Sequence, residues 1–248
     1  MAIPDLQIAG HVARITLRRP DQANRLEPDD LAALMDHIAE VNASDEVLVL
    51  QLQAEGKYFC SGYDISRIGA SRAVAFDAVV NAIEDAKPVT IAVLQGSAYG
   101  GATDIALACD FRLGCQGIDM FMPAARLGLH FYQRGLERYV SRLGLDNAKR
   151  LFLTAERIDA QEMLAIGFLT RLETREGLAD AAARLVETLS NMAPIPLLGM
   201  KKHLNRIARG TLDVADLQRD IGRSMASADL LEGQRAWAEK RKPDFAGR

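Results

Sequence analysis

The chain has 248 residues, 49% of them hydrophobic and 25% charged, with a formal net charge of −3. That length and balance suit one large globular domain, or a core with an appendage, and leave no basic excess for gripping a nucleic-acid backbone. No stretch approaches the roughly 20 apolar residues needed to cross a bilayer, and no basic start followed by an apolar run marks a secretory leader. The cysteines Cys60, Cys109 and Cys115 form an odd set without metal-ligand spacing, which predicts reduced thiols and a cytoplasmic protein.

HVARITLRR (residues 11–19) alternates apolar and polar residues and predicts a half-buried strand. EPDDLAALMDHIAEVNA follows a polar loop and opens on proline and acids, a helix-start signal. VLVLQLQA (47–54) reads as a strand, EGKYFCSGYD (55–64) as a glycine-bearing loop, and 71–86 as a helix ending before Pro88. VTIAVL (89–94) is nearly continuously apolar, the pattern of a strand buried on both faces. After GSAYGGATDIALACD (96–110), FRLGC and DMFM predict short strands. From about residue 135 helical patterns dominate, with one further strand expected at 169–172. Longer amphipathic segments follow at 177–193, 196–210 and 213–241. Pro194 and Pro196 punctuate a change of texture, which divides the chain into a core at 1–193 and a helical region at 194–248.

Two glycine loops carry the chemical signal. A buried strand that turns through Gly100 and Gly101 into a helix presents unused N–H groups at a helix N-terminus, and the macrodipole strengthens their pull on negative charge. Without a Cβ, that backbone admits either a phosphate or an oxyanion forming on a carbonyl. The spacing departs from G-x-G-x-x-G, which argues against a dinucleotide fold. KYFCSGYDI (57–65) also follows a strand, and Ser61 and Gly62 leave its backbone open. Asp104 stands in the first turn of the helix, where an acid stabilises the dipole whether or not it reacts. Cys60, beside the second loop, reads as packing.

Taken in order, these segments resemble the crotonase superfamily, the enoyl-CoA hydratase/isomerase fold. ITLRRPDQANRLEPDDLAAL resembles its early strand, R-P-x-x-x-N segment and first helix. KYFCSGYDI resembles its phenylalanine-led loop ending in glycine, any residue and an acid. KPVTIAVLQGSAYGGATDIALACD resembles its buried strand and glycine-opened helix, and SADLLEGQRAWAEKRKPDFAGR its ending. The resemblance implies an α/β spiral of ββα units with a helical C-terminal trimerisation region, giving a homotrimer or a hexamer built as a dimer of trimers. It implies an acyl-CoA substrate with coenzyme A as part of it, no metal or redox cofactor, and no nucleic-acid or membrane partner. It places the two donors of an oxyanion hole on the N–H groups of Ser61 and Gly101. Arg25, Tyr63, Asp64, Ile65 and Gly100 fall where the family holds its substrate.

The chain departs from the hydratases in its acids. The first catalytic glutamate position holds Asp104, one methylene shorter, and the second, after Pro123, holds Ala124. Alanine neither accepts a proton nor orients a water. RLGLHFYQRGLER replaces a glycine-rich segment, and it puts Tyr132 where some isomerases of the superfamily carry an acid. His130 and Glu137 stand nearby; an apolar neighbourhood favours a structural histidine, and Glu137 reads as a helix-surface charge. Arg126 and Arg134 are candidates to pair with Asp104 or a substrate carboxylate. These residues point to proton transfer beside a thioester, as in double-bond isomerisation, with Asp104 and Tyr132 as acid/base candidates. A decarboxylase or C–C hydrolase of the same fold, or an acyl-CoA-binding homologue without catalysis, are the alternatives.

Overall fold

A computed structural model describes residues 2–64, 66 and 74–248. The chain opens with strands β1 (Asp5–Ala9) and β2 (Val12–Leu17), then helix α1 (Pro28–Ala43) and strand β3 (Val49–Ala54). Pro28 occupies the first turn of α1, and Glu27 and Asp30 exchange side-chain-to-backbone bonds in a capping box. Helix α2 (Phe76–Glu84) precedes β4 (Val89–Leu94), the short β5 (Ala98–Tyr99) and α3 (Gly101–Ala108). Strands β6 (Phe111–Cys115) and β7 (Asp119–Phe121) follow, then α4 (Gln133–Leu143), α5 (Leu145–Thr154), β8 (Ile158–Asp159), α6 (Ala160–Ala165) and β9 (Arg171–Glu173). Four long helices close the chain: α7 (Leu178–Ser190), α8 (Pro194–Ala208), α9 (Val214–Met225) and α10 (Ala228–Glu239).

The long sheet runs β1-β2-β3-β4-β6-β9, parallel except for the β1–β2 hairpin. Every residue of β4 is buried, as a central parallel strand with both faces covered requires. A second ladder crosses the ends of these strands: single bridges pair Leu26 with Tyr63 and Cys60 with Ala98, and β5, β7 and β8 continue it. Each turn of the chain therefore adds a step to both ladders and a helix outside them, the expected ββα spiral. The turns β4-β5-α3 and β6-β7-α4 show it most simply.

Two expected elements shift. The strand expected at 169–172 runs Arg171–Glu173 instead, with the Leu169 N–H taken by the Met163 carbonyl at 2.9 Å and the Thr170 N–H by the Arg112 carbonyl at 2.9 Å. The amphipathic stretch 213–241 breaks at Ser227, whose hydroxyl caps the Leu230 N–H and starts a new helix. Of the helix expected at 71–86, residues 71–73 lie outside the described residues, and α2 runs Phe76–Glu84 with Ala75 extended before it.

The C-terminal helices are tied to the spiral by charge as well as by packing. Lys201 of α8 donates to the Pro88 carbonyl and pairs with Asp110 at 2.9 Å. The same Asp110 carboxylate accepts the Thr90 N–H and hydroxyl at 2.7 and 2.9 Å. Immediately after α8, Arg209 reaches Glu84 at 3.1 Å and Asp85 at 2.7 Å.

Candidate active site

The two glycine loops meet because Asn24 and two glycines force them together. The buried Asn24 amide donates to the Glu55 and Tyr58 carbonyls at 2.8 and 2.9 Å, and its oxygen accepts the Arg19 N–H. This locks the loop before α1 onto the 55–64 loop. Gly62 has φ +93°, and a Cβ there would lie 2.7 Å from the Tyr99 carbonyl oxygen and 3.2 Å from the Gly101 nitrogen. Only glycine lets the 55–64 loop lie this close to the start of α3. Gly100 turns the chain at φ 55° and ψ −128°, and its carbonyl accepts the Thr103 N–H and hydroxyl. The Gly101 N–H then stands at the first position of α3, where no helical acceptor exists.

These loops border a cavity of about 760 Å³. Ser61, Gly62, Gly100 and Gly101 form one wall, and its remaining surface is mostly apolar, with Phe76, Phe121 and Leu127 among the contributors. Tyr132 and Ala124 both line it. The cavity thus combines a dry lining with a main-chain donor at a helix N-terminus, the setting in which a developing oxyanion is stabilised most.

The expected role of the Ser61 N–H is corrected by its hydrogen bond. It donates to the Ala23 carbonyl at 2.9 Å, one of the bonds joining the two loops, so it is not presented to the cavity. The main chain two residues on behaves differently. Leu26 donates to the Gly62 carbonyl at 2.8 Å and accepts the Asp64 N–H at 3.0 Å. In such a parallel bridge the intervening residue, Tyr63, turns its own peptide groups to the opposite side, from which β5 and α3 approach.

Asp104 and Tyr132 are brought into direct contact. The Tyr132 hydroxyl donates to Asp104 Oδ2, and Arg138 Nη1 donates to Asp104 Oδ1 at 2.7 Å. Asp104 and the Arg138 side chain have no exposed area. Asp104 does not line the cavity; Tyr132 does, and stands between it and the carboxylate. Burial raises the Asp104 carboxyl above the ordinary carboxylate range, against the opposing pull of Arg138 and the Tyr132 hydroxyl. Burial and the adjacent Asp104 charge raise the Tyr132 phenol, so it keeps its proton at neutral pH. Below the pair, Thr103 gives its hydroxyl proton to the Gly100 carbonyl at 2.6 Å and so accepts from Tyr139 at 2.5 Å.

The other candidates disperse. Ala124 is buried in a 3-10 turn (Ala124–Leu127) and offers the cavity a methyl group. His130 lines the cavity but is exposed, with Nδ1 2.8 Å from the Phe131 carbonyl oxygen. Glu137 accepts from Gln133 on the outer face of α4. Neither expected arginine reaches Asp104: Arg134 pairs with Glu84 and Asp85, and Arg126 touches the Thr154 carbonyl. Their place is taken by Arg138. Cys60 is buried, donates to the Asn24 carbonyl, and has its thiol pushed up to about 12 by burial, which suits packing. Arg25 contacts Glu27 at 3.2 Å and approaches Asp64 at 3.8 Å near the rim, while Tyr63 lines the cavity itself. Ile65 lies outside the described residues.

The sequence reading passed over Arg138 and Glu84. Arg134, Arg138 and Arg142 fall four residues apart and therefore share one face of α4, a cationic stripe that was available as a signal.

Residues 7–248 match the family model described as enoyl-CoA hydratase/isomerase. A short-chain-enoyl-CoA hydratase of Clostridium acetobutylicum is 29% identical over 96% of this chain and 95% of its own. An (E)-benzylidenesuccinyl-CoA hydratase of Thauera aromatica is 27% identical, covering 98% of each chain. The crystal structure of an enoyl-CoA hydratase from Bacillus anthracis superposes with a TM-score of 0.90 at 27% identity over the whole of both chains. With the family model spanning nearly its entire length and the ββα spiral matched throughout, the chain belongs to the enoyl-CoA hydratase/isomerase family of the crotonase superfamily.

Proposed function

We propose that the protein moves a proton between two carbons of an acyl-CoA thioester, by way of an enolate, rather than adding water across a double bond. The observation that carries this reading is the Tyr132–Asp104 contact, made at a cavity whose lining includes Ala124 in place of a second acid. Water addition by two carboxylates needs a second acid to hold the nucleophile, and Ala124 supplies none. A proton shuttle needs one group that both takes and returns a proton.

The step balances as a relay. Tyr132 Oη takes the proton from the carbon beside the thioester as its own proton passes to Asp104 Oδ2. The electron pair of the broken C–H bond flows to the thioester oxygen. That oxygen is held by the Gly101 N–H, with the second donor drawn from the Gly62–Tyr63 segment. Reversal of the relay at another carbon completes the transfer. A free phenolate never forms, which matters because the Tyr132 phenol is raised. Asp104 ends the first half neutral, a state its burial favours. Each oxyanion donor is worth about 2.7–4 kcal/mol in the transition state, and an acid/base pair contributes about 10²–10⁴ in rate. Such chemistry requires neither a metal nor a redox group.

The test is deuterium exchange beside the carbonyl of butanoyl-CoA in D2O, run with isomerisation of a 3-enoyl-CoA and hydration of crotonyl-CoA. Exchange and isomerisation that fall by about 10²–10⁴ in Tyr132→Phe and Asp104→Asn are expected. Hydration faster than exchange, or exchange untouched by both substitutions, overturns the reading. Decarboxylation of a malonyl-type thioester without exchange would favour the decarboxylase alternative. The exposed apolar side chains of α8–α10, including Leu204, Met225, Leu231 and the 89% exposed Trp237, support a trimer or hexamer. Sedimentation velocity tests that assembly.

A further inference from the structure

Asp104 is held from both sides, and the far side leads across the molecule. Arg138, whose Nη1 binds Asp104 Oδ1, is itself gripped by Glu84: Nε to Oε1 at 3.0 Å and Nη2 to Oε2 at 3.1 Å. Asn81 takes a further bond from Arg138 Nη2 at 3.1 Å. Glu84 is 6% exposed at its side chain and also meets Arg134 at 2.6 Å, Arg142 at 3.4 Å and Arg209 at 3.1 Å. Glu84, Asp85 and Asp104 thus face four arginines in one largely buried cluster.

A buried ion-pair cluster is a poor way to gain stability, because desolvation consumes most of the attraction. Its geometry does something else here. The fork of Glu84 fixes the plane of the Arg138 guanidinium, which leaves Nη1 pointing at Asp104. With Oδ1 fixed, Oδ2 is turned to the Tyr132 hydroxyl. We infer that Arg138 and Glu84 are positioning residues that set the orientation and charge of the Asp104 carboxyl on which Tyr132 rests. Their catalytic consequence rests on the proton transfer proposed above; their hold on Asp104 does not.

The charged and titratable groups facing Asp104 are few. Arg138 and Tyr132 approach from α4 and the residue before it, Tyr139 of α4 rests on Thr103, and Glu84 approaches from α2 behind the guanidinium. The signs therefore oppose each other. Loss of the Arg138 charge leaves Asp104 protonated to higher pH, whereas loss of the Glu84 charge lets it ionise at lower pH. A role confined to packing would give no such opposition.

The experiment uses the full chain labelled with 13C-carboxyl aspartate and follows Asp104 by isotope-edited infrared titration, its band assigned by subtraction of Asp104→Asn. Arg138→Gln is expected to move the Asp104 titration up by at least one pH unit, Arg138→Lys to restore most of it, and Glu84→Gln to move it down. The acid limb of deuterium exchange on butanoyl-CoA should follow in the same directions, with kcat affected more than KM. An Asp104 titration that is unmoved in folded variants, or moved the same way by Arg138→Gln and Glu84→Gln, overturns the inference. If Arg138→Gln fails to fold by circular dichroism, Glu84→Gln decides alone: a downward move of the Asp104 titration supports the inference, and an upward or absent one overturns it. A titration that moves while exchange does not follow leaves the hold on Asp104 standing and removes the proton-transfer reading instead.

Discussion

Neutralising Glu84 tests how much the arginine cluster contributes to folding. Burial alone would raise its carboxyl, but the bonds and charge of Arg138, with Arg134 and Arg142, outweigh that and hold it at about 2 against the ordinary 4.5. Between these values the unfolded chain binds a proton that the native protein does not, so stability rises with pH there and is lost as pH falls. A drop from 4.5 to about 2, at about 1.4 kcal/mol for each pH unit, amounts to about 3 kcal/mol. Glu84→Gln should therefore be destabilised by about 3 kcal/mol at pH 7. That difference should shrink steadily below pH 4.5 and nearly vanish around pH 2. Urea denaturation of both proteins at a series of pH values reads the difference directly, and the other acids cancel because both chains carry them. A gap that stays constant from pH 7 to pH 3 would refute the electrostatic account and leave only a packing defect.

Two further outcomes follow from the geometry. Gly62→Ala places a methyl group 2.7 Å from the Tyr99 carbonyl oxygen at a positive φ, so the loops must separate. Isomerase or exchange turnover should fall by about 10²–10³, the loss typical of one displaced oxyanion donor, in a protein whose circular dichroism is unchanged. Lys201→Met removes the cation that faces Asp110 while leaving the Thr90 bonds in place. Breaking a buried pair of this kind costs about 3–5 kcal/mol, visible as a lower midpoint in thermal or urea melts; an unchanged midpoint would mean that Asp110 is satisfied by Thr90 alone.

Local chemistry explains what could be read from the sequence. VTIAVL could be placed as a central strand because five apolar residues with a single threonine leave no polar face for solvent. Asn24 and the two glycine loops stand in a motif order that fixes a fold, and proline with acids marks the start of α1. The contacts that decide the chemistry are long-range and were not legible in this way. Arg138 meets Asp104 across 34 residues and Glu84 across 54, and nothing local distinguishes it from its neighbours Arg134 and Arg142. Ser61 shows the same limit at short range. Its place in the loop was readable, but the Ala23 carbonyl that takes its N–H belongs to a different segment. The chain turns at Gly62, with φ +93°, between Ser61 and Tyr63, so the candidate donor segment moves by two residues without changing which loop supplies it.

Lys201 and Arg209 have a meaning for how the protein is made. A ribosome delivers Asp110 and Glu84 well before the two cations that meet them. Until α8 emerges, Asp110 has Thr90 but no lysine, and Glu84 has three of its four arginines. Two ion pairs thus cross the change of texture at Pro194, each joining an earlier-made acid to a later-made cation.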